Sequence, residues 1–194
     1  MGHDPRPVTL EVRRHAYTKK PTERRGHGSH LSRAGVQLAR RLGTSMGPFD
    51  YELASNVPRT IETALAMGFA VDDAVDMGAD LWEAATREKG ERHAQWDWGG
   101  EAFVRYAEIV SADGPTSALA RYQVQLWRDV LVHVPPGGSG LVVAHGGLIE
   151  PGLVALCPDA EPRTWGADFA HGEGARLRFD VSGTVHVQLV RLAG

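Results

Sequence analysis

The chain has 194 residues, 42% hydrophobic and 23% charged, with a formal net charge of −3. That length allows one domain with a sizeable core, and the composition is that of an ordinary globular protein. The sequence pI of about 6.3 gives no global pull toward nucleic acid or an anionic membrane, so neither is expected as a partner. No apolar run approaches membrane-spanning length. The single cysteine, Cys157, cannot form an internal disulfide and fits a reducing compartment, so a cytoplasmic location is expected. Residues 1–7 carry no apolar signal core, and no Ser or Thr stands where myristoylation favours one.

Residues 8–15 read as a first strand, and the polar stretch 16–30 as a loop. Residues 31–42 carry a helical apolar stripe at 31, 38, 39 and 42, capped by Ser32 and stopped at Gly43. Residues 51–55 form a short strand, and Pro58 opens a helix that runs to Gly68. Residues 72–78 read as loop and short strand. Residues 101–109 and 117–134 read as helices, broken by Asp113-Gly114-Pro115. A turn at 135–140 leads into an apolar strand ending at Ala144, and a helix covers about 148–156. Residues 176–181 and 185–192 alternate apolar and polar side chains around Ser182-Gly183, the pattern of a hairpin. Strands alternating with helices predict an α/β fold: a three-layer α/β/α sandwich with a mostly parallel central sheet. It would be a single domain over 1–194, with a helical insertion at about 69–135 over the strand C-terminal ends.

Two apolar strands end on a histidine: Arg14-His15 on the first and His145-Gly146-Gly147 on the later one. Open α/β sheets place their ligands at such strand ends. Imidazole nucleophiles, fixed positive charge and hydrogen-bond donors together suit a phosphoryl group. Arg13, Arg14, Lys19, Lys20, Arg24 and Arg25 crowd one stretch and could steer an anionic substrate, although for Lys19 and Lys20 taken alone a solvated loop is the favoured reading.

Four segments in order resemble the histidine phosphatase superfamily, also called phosphoglycerate mutase-like. They are Arg14-His15-Ala16-Tyr17-Thr18, the helix segment Leu31–Ala39, Ser55–Ala64 with Arg59 at its centre, and Val142–Gly147. Together they span residues 8 to about 150. The resemblance implies that His15 is the nucleophile, that Arg14 and Arg59 clamp phosphate oxygens, and that His145 stabilises transition-state charge. Glu83, in Leu81-Trp82-Glu83, would be the general acid, buried and raised in pKa by Trp82, with Asp80 and Glu88 as rivals. Thr18, Gly146, Arg24 and His171 are candidate substrate contacts. Arg24, Arg25, His27 and His30 could read a second anionic group on the substrate, although a solvated loop is the favoured reading.

Ala16 replaces the family's usual glycine, and Tyr17 replaces its common Glu or Gln, which argues against mutase-type contacts. No metal-ligand spacing and no nucleotide-binding glycine loop occurs, so no metal and no cofactor are expected. The expected protein is a metal-independent phosphoric monoester hydrolase of the histidine acid phosphatase type. Its substrate would be a small-molecule phosphate ester or a phosphoprotein, and a homodimer is compatible with the sequence. Two alternatives stand beside it: a phosphoglycerate mutase-type isomerase, and a non-catalytic phospholigand-binding module on the same fold.

Overall fold

A computed structural model describes residues 6–19, 29–92 and 98–192, with only the backbone for residues 91 and 92. Six strands form one sheet in the order β3-β2-β4-β1-β5-β6. Strands β1 (Val8–Arg14), β2 (Tyr51–Ser55), β3 (Asp73–Val75) and β4 (Ser139–Ala144) are parallel where they pair. The closing hairpin of β5 (Gly174–Phe179) and β6 (Val185–Val190) joins β1 antiparallel through β5. Its turn is held by the Asp180 carboxylate, which accepts from the N–H groups of Ser182 and Thr184.

Both faces of the sheet are covered, which explains why β4 reads as an unbroken apolar run. Val142 and Ala144 face a large cluster with Phe103, Leu119, Trp127, Ile149 and Leu153. These come from helices α4 (Ala102–Ser111), α5 (Pro115–Val132) and α6 (Ile149–Leu156). Leu141 and Val143 face Ala64 of α2 (Pro58–Met67), which packs against α1 (Arg33–Gly43). The mixed α/β sandwich expected from the sequence is therefore the fold observed.

Four local differences have physical causes. Helix α1 begins at Arg33, because Ser32 is its N-cap and accepts from the Gly35 N–H, while Leu31 bridges back to Thr18. Helix α5 begins at Pro115, where proline occupies the first turn and needs no donor. A helix not anticipated as such, α3 (Ala79–Arg92), fills the region between β3 and α4. Its residues favour helix but carry charge on most faces, so no apolar stripe announces it. Asp76 starts it by accepting from the N–H groups of Gly78 and Ala79. Arg13, one of the expected steering charges, is buried and ion-paired with Glu11 at 2.5 Å. It is thereby removed from the surface field.

Candidate active site

The sheet register builds the site. Strands β1 and β4 are adjacent and parallel, with Arg14 opposite Ala144. The next residue on each is a histidine, so His15 and His145 leave the sheet side by side. Their ring centroids lie 5.3 Å apart at 64°. The His15 N–H still donates to the Ala144 carbonyl at 3.0 Å, which fixes where the loop departs.

Hydrogen bonds assign the two imidazoles opposite tautomers. His15 Nδ1 lies 2.8 Å from the Ala16 carbonyl, which can only accept. The proton therefore sits on Nδ1, and the lone pair is left on Nε2. His145 Nδ1 lies 3.3 Å from Arg59 Nη2, which can only donate. The proton of His145 therefore sits on Nε2, ready to be given to an anion. Burial pushes the His15 pKa down to about 3, assisted by Arg59, His171 and Arg14, while the bond to Ala16 opposes the shift. Burial also takes His145 to about 3, assisted by Arg59, His15 and Arg14. Both rings are neutral near pH 7.

The guanidinium groups flank this pair. Arg59 stands in the first turn of α2 and is itself lowered in pKa by burial. Arg14 Nη1 donates to the Phe169 carbonyl, while its buried Nε meets no protein acceptor among the described residues. Gly146 makes room for it, since a Cβ there would lie 2.9 Å from the Arg14 Cζ. Gly147 has φ +79° and lies under Trp82, whose ring would be 2.7 Å from an added Cβ. Thr63 secures the loop after His15: its Oγ1 accepts the Ala16 N–H at 3.0 Å and donates to the Arg59 carbonyl at 2.6 Å.

His171 joins the cluster. Its ring lies 5.1 Å from that of His15, and Tyr17 meets it edge-on at 4.9 Å. His171 Nδ1 is 3.1 Å from the His15 carbonyl. Thr18 sits on the bridge to Leu31, just beyond Tyr17. His30 pairs instead with Glu62. Arg24, Arg25 and His27 lie outside the described residues.

Glu83 differs from expectation in its surroundings. Trp82 does not bury it: its side chain is 80% exposed and meets Arg87 at 3.4 Å. The reason is helical geometry, because adjacent residues on a helix point about 100° apart. Trp82 takes the inward direction against Gly147. The rival Glu88 is buried and accepts the Thr116 N–H at 2.8 Å, at the start of α5. The roles of Trp82, Thr63 and Phe169 are not legible in the sequence, since each depends on contacts between distant segments.

A family model of the histidine phosphatase superfamily (branch 1) matches residues 12–189, so the chain belongs to that superfamily. No curated protein matches the chain by sequence. Solved structures share the fold. A phosphoglycerate mutase from Bacillus anthracis aligns with TM-score 0.61 and 21% identity, over 96% of this chain and 94% of that one. A mycobacterial glucosyl-3-phosphoglycerate phosphatase aligns with TM-score 0.57 and 20% identity, over 97% and 99%. A phosphoserine phosphatase from Entamoeba histolytica aligns with TM-score 0.58 and 16% identity, over 94% and 96%.

Proposed function

We propose that the protein is a metal-independent phosphomonoesterase that works through a phosphohistidine on His15. One observation carries the reading: two imidazoles held neutral by burial stand side by side, their hydrogen-bond partners favour complementary tautomers, and the Arg59 and Arg14 guanidinium groups act on both. His15 Nε2 attacks phosphorus in line, forming the N–P bond as the ester P–O bond breaks. The His145 Nε2–H and the forks of Arg14 and Arg59 stabilise the charge on the non-transferred oxygens. Water then attacks the phosphohistidine, releasing phosphate and restoring neutral His15. The substrate class is a small phosphate ester or a phosphorylated protein side chain, met in the cytoplasm.

Glu83 is the proton donor in this reading, and the base for water in the second step. It follows Trp82, which walls the cradle at Gly147. Its exposed pair with Arg87 is worth only ~0.5 kcal/mol, so turning the carboxyl toward a bound ester costs little. Hydrolysis is preferred over phosphoryl migration because Tyr17, 45% exposed beside His171, replaces the Glu or Gln common in the family.

The test is a phosphate-release screen across metabolite monoesters, with chelator present and 3-phosphoglycerate included. The parent should turn over and trap a phosphoryl group on His15, while His15→Ala should lose both, by roughly 10⁴-fold or more in rate. Glu83→Gln should slow esters of poorly leaving alcohols by about 100-fold and spare p-nitrophenyl phosphate. Migration without release would establish the isomerase instead. Tight ester binding with no labelling would establish a binding module.

A further inference from the structure

We infer that Glu150 is the positioning residue of the cradle, its carboxylate aligning the His145 turn and the Arg14 fork together. The inference rests on reading the cradle as a phosphoryl site, and it assigns a role to a residue outside both histidine motifs.

Glu150 lies in the first turn of α6 and is fully buried. Its Oε2 accepts the Gly147 N–H at 2.6 Å, and its Oε1 accepts the Phe169 N–H at 3.0 Å. The first bond reaches back three residues, the spacing of a capping box, but to the residue before the N-cap Leu148. The second has no such local explanation: it ties α6 to a segment nineteen residues further on. That segment is where the Phe169 carbonyl receives Arg14 Nη1. The turn at the other end carries Gly146, against which the Arg14 guanidinium lies. One carboxylate therefore spans the two backbone segments that bracket Arg14, and one of them also bears His145.

The chemistry of this bond pair is demanding. Two N–H donors face two different oxygens, so both oxygens must accept. An amide of the same shape would turn an NH₂ toward one of the donors. A buried carboxylate is costly, and a helix cap alone can be made by an exposed side chain. Burial raises the Glu150 pKa, and the backbone N–H bonds from Phe169 and Gly147 oppose that rise. Lys89, also fully buried, places Nζ 4.6 Å from the Trp82 ring and 5.4 Å from the Tyr106 ring. Glu150 and Glu88 favour its cationic form, against the pull of burial. Trp82 in turn closes over Gly147. Lys89 and the two rings form a buried cluster beside the turn.

The experiment compares Glu150→Gln with Leu153→Val, a core truncation on the same helix, in the full-length protein. Orthovanadate and inorganic phosphate binding, phosphorylation of His15 and thermal unfolding are measured for each. Glu150→Gln should weaken vanadate binding by about tenfold and lower kcat by about 100-fold with a smaller change in KM, as misplacement of reacting groups does. Leu153→Val should lower the unfolding temperature and leave vanadate affinity unchanged. In an Arg14→Lys background, adding Glu150→Gln should cost less than about threefold, because the two changes act on one alignment.

If Glu150→Gln does not fold, amide hydrogen exchange on the parent decides. Gly147 and Phe169 should be protected, and more so with vanadate bound. Rapid exchange at either, vanadate affinity within about twofold of the parent in Glu150→Gln, or an equal loss of affinity in Leu153→Val would overturn the inference. A parent that binds vanadate but neither labels His15 nor turns over defeats the phosphatase reading alone. A parent that binds no oxyanion defeats both.

Discussion

His15 and His145 are the same side chain in similar surroundings, yet each leaves a different nitrogen free. The difference lies in one neighbour apiece: a carbonyl that accepts from His15 and a guanidinium that donates to His145. Both folded-state pKa values, about 3, lie below the ordinary 6.5. The unfolded chain therefore binds protons more readily than the folded one. The stability linked to these rings is fully present above about pH 6.5 and is lost as pH falls toward 3. A tenfold difference in proton affinity between the two states is worth about 1.4 kcal/mol, enough for the loss to be measurable. The urea midpoint should accordingly fall between pH 7.5 and 5, and fall less in His15→Gln. Equal slopes for parent and variant would contradict the buried, neutral ring.

At the scale of elements, helix α1 approaches the loop after His15 through a missing side chain. A Cβ on Gly35 would lie 2.0 Å from the Tyr17 carbonyl oxygen, a backbone atom that cannot swing aside. Ser32 fixes the same carbonyl with its N–H at 2.9 Å. Gly35→Ala should therefore destabilise by about 1–3 kcal/mol and impair turnover, because Tyr17 lies two residues beyond His15. Gly90 in α3 is the opposite case. Open space surrounds it, so Gly90→Ala should stabilise by about 0.5–1 kcal/mol through helix propensity. Chemical denaturation of both variants checks the pair; similar effects from the two would refute the close approach.

For the whole molecule, the sheet gathers positive groups at one rim while the chain as a whole carries −3. Arg14 and Arg59 come from segments far apart in sequence and meet only when the sheet is assembled. An oxyanion that binds only the folded state should stabilise it by about 2.7 kcal/mol at 100 times its dissociation constant. Vanadate should thus raise the unfolding temperature of the parent, and much less that of Arg59→Ala. An equal rise in both would remove Arg59 from the cradle.

The sequence by itself determined the α/β class, the two strand-borne histidines and the arginine at the start of α2. These are legible because strand periodicity, a proline-opened helix and short local motifs are written in neighbouring residues. Only the tertiary structure decided that Arg13 is spent on Glu11, that Trp82 rather than Glu83 faces the turn, and that His171 lies against His15. It alone showed the Glu150 carboxylate bridging Gly147 and Phe169. Those outcomes depend on which distant segments become neighbours, and hydrogen-bond partners contributed across the fold leave no periodic trace in the chain.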